Sequence, residues 1–303
     1  MTPLSQTILE SYQIRKRTKQ KTAFIDLLRA HYPELTVEEG GLIKCRNLII
    51  GDLENAKIIV SAHYDTCSAL PFPNFITPKR PIFTILYSLL LILPIFAAML
   101  GVNILLNRFS NNYWLHYFIS VALYFGLLAL LIIGPANKHT ANDNTSGVVM
   151  LCELLESLTE EERKKIAFVF FDHEETGLLG SYLFKKQHKQ MMQDKLLINF
   201  DCVSDGDNML LGITTAAREQ YGTAFEEAFL PEDGKSVLFE RMEKIYYPSD
   251  HSGFPMALAA AALKHKPVLG YYMDRIHTSR DTNFDEANIS MLVNGIHRFL
   301  EKL

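Results

Sequence analysis

The chain has 303 residues and a formal net charge of -4, with 48% hydrophobic residues, so a sizeable core is affordable and a nucleic-acid partner is not expected. Its four cysteines, Cys45, Cys67, Cys152 and Cys202, lie far apart with no Cys-x-x-Cys spacing, which argues against a disulfide framework and against a thiolate zinc site. Met1 to Gln20 is polar and basic where a signal peptide needs an apolar stretch, so secretion is not expected.

Taken in order, Ile8 to His31 carries Ile14, Phe24, Leu27 and Leu28 at helical spacing and reads as one amphipathic helix. Its basic run, Arg15-Lys16-Arg17-Thr18-Lys19-Gln20-Lys21, reads as a solvated face, with contact to anionic lipid as the alternative. Leu35 to Glu38 and Leu42 to Ile50 flank Gly40-Gly41 as a hairpin, and Ala56 to Ala62 is an apolar strand that ends in His63-Tyr64-Asp65. Residues two apart on a strand share a face, so Asp65 can orient the His63 imidazole.

Two apolar stretches follow. Ile82 to Leu106 has no charged residue, and Tyr113 to Gly134 has only His116 as a titratable side chain that can carry positive charge, so each is long enough to cross a bilayer. The polar link Asn107 to Asn112 makes them a helical hairpin, with Tyr113, Trp114 and Tyr117 as interfacial aromatics. Lys79, Arg80 and Lys138 flank its outer ends against Arg108 at its tip, which puts both ends in the cytoplasm. The expectation is a cell-membrane protein with two crossings and a cytoplasmic catalytic domain.

Beyond the hairpin, His139 to Gly147 is a polar turn before a helix from about Val148 to Leu158, and its Asp143 by itself reads as a cap. Phe168 to Phe171 is a buried strand that runs into Asp172-His173-Glu174-Glu175. Adjacent carboxylates at a strand end are costly unless solvated or compensated by a cation. Leu196 to Phe200 is a strand ending at Asp201, Met209 to Ile213 another strand, and Thr215 to Phe229 an amphipathic helix. Tyr246 to Phe254 reads as a polar loop before an Ala-rich helix, Pro267 to Tyr272 as a strand shortly before His277, and Phe284 to Leu300 as the last helix. Strands that end in imidazoles and carboxylates offer ligands for a pair of divalent ions at one sheet edge.

Ala62-His63-Tyr64-Asp65-Thr66, Asn142 to Gly147, Asp172 to Ser181, Asn199-Phe200-Asp201, Ser249-Asp250-His251, and His277-Thr278 with Asp281-Thr282 together cover most of the chain outside the hairpin. In that order they resemble the motifs of the M28 family of zinc aminopeptidases. The resemblance implies an α/β fold, a three-layer sandwich around a mixed, mostly parallel sheet, formed by residues 1–78 and 137–303. Residues 79–136 would be an inserted transmembrane hairpin. It implies two zinc ions, with Asp143 bridging, His63 and Asp201 completing one ion's ligands, and Glu175 and His277 the other's. Glu174 would be the general base, Asp65 would support His63, and Tyr246, or its neighbour Tyr247, would steady the tetrahedral intermediate. Cys67 and Cys202 would be bystanders. Peptides and the lipid bilayer are the implied partners, and a homo-oligomer is left open. The alternatives are a glutaminyl cyclase and a non-catalytic binding protein on the same fold.

Overall fold

Apolar runs too continuous to be half-exposed strands build the middle of the sheet. In the computed structural model, which describes residues 1–303 apart from the side chain of Leu130, the strands are β1 (Thr36–Gly40), β2 (Cys45–Ile50), β3 (Ile58–His63), β4 (Ile166–Phe171), β5 (Leu196–Phe200), β6 (Asn208–Ile213), β7 (Ser236–Arg241), β8 (Ala257–Lys266) and β9 (Gly270–Tyr272). They form one nine-stranded mixed sheet in the order β1-β2-β4-β3-β5-β8-β6-β7, with β9 on β8. The central four, β4-β3-β5-β8, are parallel. Antiparallel pairing frames them on both sides through β2 and β6.

The helices are α1 (Pro3–Ser11), α2 (Thr18–His31), α3 (Pro81–Leu106), α4 (Tyr113–Ile133), α5 (Gly147–Ser157), α6 (Glu160–Arg163), α7 (Leu179–Gln187), α8 (Thr215–Ala228) and α9 (Glu286–Leu300). One sheet face, with Val60, Phe168, Ile198 and Leu258, packs under α1, α2, α5, α8 and α9 in the largest core cluster. The alternate residues Ile59, Val169, Phe171 and Leu197 point the other way and meet Phe184 of α7 and Met192. This period-two division of each strand between two covered faces is what makes three layers.

Three sequence expectations are corrected here. The Ala-rich segment expected to be helical after Phe254 is β8, paired parallel to β5 and antiparallel to β6. Alanine favours helix in isolation, but a strand slot walled on both sides and both faces overrides that preference and accepts small side chains. The strand expected over Pro267 to Tyr272 is confined to Gly270–Tyr272, with residues 267–269 forming the turn back onto β8. The single helix expected over Ile8 to His31 is two, α1 and α2, separated at residues 12–17 where Arg15 turns into the core. The strand β7 and the helix α7 lie where no element was expected.

The two helices of the apolar hairpin are each long and apolar enough, by length and composition, to cross a membrane. No residue of α3 is buried. Toward the tip of the hairpin they are joined by a hydrogen bond from Asn103 Nδ2 to Ser120 Oγ at 2.8 Å. Where the chain leaves the hairpin it pairs with residues 67–69, which precede the insertion: Ser68 bridges Ala136, Ala69 N donates to Pro135 O at 2.8 Å, and Asn137 N donates to Cys67 O at 3.1 Å.

Candidate metal and catalytic site

The C-terminal ends of parallel strands are where α/β sheets place their ligands, because side chains there project past the last hydrogen-bonded rung. His63 ends β3, Asp172 to Glu175 follow β4, and Asp201 follows β5. Asp143 sits in the turn Ala141–Ser146, non-helical at Asp143 and Asn144, that leads into α5. His277 comes from the loop after β9 with a left-handed φ of 63°. His173, Leu178 and Cys202 around the same edge are also left-handed, a conformation that non-glycine residues adopt only when the surroundings enforce it.

The two oxygens of Asp143 face different partners. His63 Nε2 lies 3.4 Å from Oδ1 of Asp143 and 3.5 Å from Oδ1 of Asp201. His277 Nε2 lies 3.0 Å from Oδ2 of Asp143 and 3.2 Å from Oε2 of Glu175. Glu174 presents its carboxylate to the His63 and Asp201 side. All six residues line one cavity of about 370 Å³. The donor set suits divalent cations: imidazole nitrogens and carboxylate oxygens converge, and Oε1 of Glu175 and Oδ1 of Asp201 are buried without a hydrogen-bond partner among the described residues.

Charge crowding shows in the acidities. Burial pushes Glu174 and Glu175 well above the usual carboxylate range; for Glu174, His63 opposes this while Glu175 and Asp201 add to it. Burial works against ionising Asp143 as well, but hydrogen bonding to His277 and His63 holds it low.

Carboxylates behind the cavity fix the backbone that carries these groups. Asp65 Oδ1 accepts from Glu174 N at 3.0 Å and its Oδ2 from Glu175 N at 3.3 Å. Asp65 also faces His63: Nδ1 of His63 is 3.1 Å from the Asp65 carbonyl and 3.6 Å from its carboxylate. Asp281 accepts from Asn142 N at 2.9 Å and Asp143 N at 3.0 Å. Ser249 Oγ donates to Asp201 Oδ2 at 2.6 Å, leaving the other oxygen facing the cavity.

The basic run proves different from its sequence reading. Arg15 is fully buried and donates to the carbonyls of Tyr64 and Tyr12 and, at 3.2 Å, to Thr145 Oγ1. Burial pulls its pKa down to about 10, with Asp65 and Asp143 pulling the other way. Lys21 is buried against Asp172, whose Oδ2 also accepts from Arg46 N at 3.0 Å. Both were missed as site-supporting residues, because their partners are distant in the chain. Lys16, Arg17 and Lys19 remain at least partly exposed.

Tyr246 and Tyr247 both line the cavity. Tyr247 is buried and its hydroxyl donates to the Asp201 carbonyl at 2.9 Å, whereas Tyr246 is 49% exposed. The thiol of Cys67 lies in one cluster with Asp143, Glu175 and His277, and that of Cys202 with Asp143 and Asp201, closer to the centre than chain proximity alone implied.

Fold and site together define an α/β protein with a carboxylate and imidazole centre at the C-terminal edge of its sheet. The model of peptidase family M28 matches residues 125–294, more than half of the chain, and the chain belongs to that family. The matched region contains Asp143, Glu174, Glu175, Asp201 and His277, while His63 and Asp65 precede it. A probable leucine aminopeptidase of Arthroderma otae is 29% identical over 150 residues, which cover 47% of this chain and 41% of that protein. The structure is similar to Porphyromonas gingivalis glutaminyl cyclase, with a TM-score of 0.58 and 16% identity over 99% of this chain and 96% of that one. It is also similar to Legionella pneumophila LapA, with a TM-score of 0.55 and 14% identity over 99% and 71% of the two chains. At these identities the solved structures show a shared fold.

Proposed function

We propose that the protein is a membrane-anchored di-zinc aminopeptidase that removes N-terminal residues from peptides at the cytosolic face of the bilayer. One observation carries this reading: the two oxygens of Asp143 are each matched by a separate imidazole and carboxylate. On that pattern His63 and Asp201 would hold one ion with Asp143, and Glu175 and His277 would hold the other. Bound zinc supplies Lewis acidity, polarising the scissile carbonyl and making water acidic enough to react near neutral pH. Glu174 takes the proton from the attacking water and delivers it to the leaving amine. Burial raises the pKa of Glu174, the direction that makes a carboxylate a stronger base. Asp65 positions Glu174 and Glu175 through their backbone N–H groups. Tyr246, with its side chain at the cavity and Tyr247 engaged elsewhere, donates to the developing oxyanion.

Residues 1–78 and 137–303 form the catalytic domain, and residues 79–136 are the membrane insertion. Two crossings return the chain to the side from which it left, which the catalytic fold requires. The excess of Lys79, Arg80 and Lys138 over Arg108 supports a cytosolic catalytic domain.

The test is zinc-dependent cleavage of a mixed peptide library by the detergent-purified protein, read by mass spectrometry beside Glu174→Gln. Loss of single N-terminal residues by the wild type, and a drop of about 10²- to 10⁴-fold in the variant with zinc content retained, is the expected result. Loss of ammonia from N-terminal Gln would move the assignment to a cyclase. Bound zinc without turnover would move it to a binding role.

A further inference from the structure

The root of the hairpin is also a wall of the catalytic cavity. Thr84 and Ser88, one turn apart on α3, line it together with Ile76 and Met273. This wall is fixed to the catalytic domain: Thr77 N donates to Thr84 Oγ1 at 2.8 Å, Tyr87 Oη donates to Pro73 O at 2.9 Å, and Ile76 bridges Met273. A second cavity, of about 250 Å³, shares Glu175 and His277 with the first and is closed by Leu131 and Ile132 near the end of α4. The reacting centre therefore lies between the roots of both hairpin helices.

The chemistry of the wall is spatial more than polar. Ser88 Oγ donates back to Thr84 O at 2.9 Å, and Thr84 Oγ1 is engaged by Thr77, whose own hydroxyl donates to Arg80 O, so both hydroxyl protons are used and only acceptor lone pairs remain for a ligand. Ser88 stands seven residues into α3, about 10 Å along its axis, beyond the last charged residue, Arg80. Around it Ile85, Leu86 and Leu89 are more than half exposed. A chain leaving the cavity along α3 thus meets an apolar helix face and, on the reading above, the surface of the bilayer.

We infer that the first two turns of α3 are a substrate-binding wall and that Ser88 determines specificity. The substrates are peptides whose residues beyond the scissile bond are apolar and lie against α3 at the lipid surface. This rests on the aminopeptidase reading. The experiment uses the full chain in lipid nanodiscs and substrates with one common N-terminal residue: a single-residue amide, a short peptide with an apolar tail and one with an acidic tail. The wild type is expected to prefer the apolar tail over the acidic one in kcat/KM. Ser88→Trp, which adds bulk to the α3 wall of the cavity, is expected to lower the ratio of apolar-tailed peptide to single-residue amide about tenfold. Leu100→Trp, on the same helix but away from the cavity and 63% exposed, keeps the wild-type ratio. An unchanged ratio in Ser88→Trp, or a wild type indifferent to the tail, overturns the inference. A wild type inactive on all three removes the aminopeptidase reading instead. As a second measurement, a peptide with a photoreactive residue after the scissile bond should label residues 81–106, and labelling confined to other segments would overturn the inference even if Ser88→Trp misfolded.

Discussion

Replacing Lys21 by Met tests what holds the loop that carries Glu174 and Glu175. The Lys21 and Asp172 side chains are 5% and 1% exposed, so the ion pair between them is almost fully shielded from water. Losing one member of such a pair costs about 3–5 kcal/mol, because the remaining charge stays buried. Asp172 would keep two backbone donors, Arg46 N and His173 N, each at 3.0 Å, which places the loss at the lower end, about 3 kcal/mol. Asp172→Asn alone strands the ammonium and should cost a similar amount. In the double variant Lys21→Met with Asp172→Asn neither charge remains, and stability should return to within about 1 kcal/mol of the wild type. Urea unfolding of the detergent-solubilised protein, followed by far-ultraviolet circular dichroism, gives all four corners of the cycle. A single-variant loss below about 1 kcal/mol, or a double variant no more stable than either single, would refute the claim that the ion pair secures the loop.

Further expectations concern the supporting residues. Asp65→Asn should weaken zinc binding or turnover by about 10- to 100-fold, since one carboxylate orders both Glu174 and Glu175; unchanged zinc affinity in a chelator competition together with unchanged turnover contradicts it. Gly180→Ala places a methyl group 2.2 Å from the Asp172 carbonyl oxygen and 2.8 Å from its nitrogen, so a loss of about 3 kcal/mol is expected and wild-type thermal stability would count against the packing described. Burial lowers the pKa of His251 from 6.5 to about 4. The unfolded chain then takes up a proton that the folded one refuses. Its stabilising effect is complete above pH 6.5 and is lost as pH falls toward 4, by about 3 kcal/mol in all. His251→Gln should flatten the dependence of unfolding free energy on pH over that window, and an identical slope would exclude His251 as the cause.

Much of the candidate site could be read in the chain because its residues stand at strand ends. His63, Glu175 and Asp201 close apolar runs whose length and β-branched or aromatic content speak for strands, and the motifs that follow them are local. Arg15 and Lys21 could not be read that way. A basic run looks solvated unless its partners are known, and those partners, Tyr64, Thr145 and Asp172, lie 49, 130 and 151 residues away. The Ala257 to Ala262 stretch fails for another reason. Local preference favours helix, and only the pairing with β5 and β6 reverses it. Tyr246 and Tyr247 were equivalent neighbours in sequence. The direction of each side chain separates them, one exposed at the cavity and one with its hydroxyl bound to Asp201.

The side-by-side passage of the chain at Ser68 and Ala136 bears on how such a site would meet its substrates. A domain hung from one flexible strand swivels and sweeps a volume. Here both roots are pinned, that of α4 by the Ser68 hydroxyl on the Ile132 carbonyl at 2.7 Å and that of α3 through Thr77 and Pro73, which resists swivelling and would hold the cavity mouth at one height and one tilt. In a bilayer, encounter would then be governed by the number of substrate molecules per unit area of membrane, and adding lipid would dilute the reaction as surely as adding water dilutes one in solution.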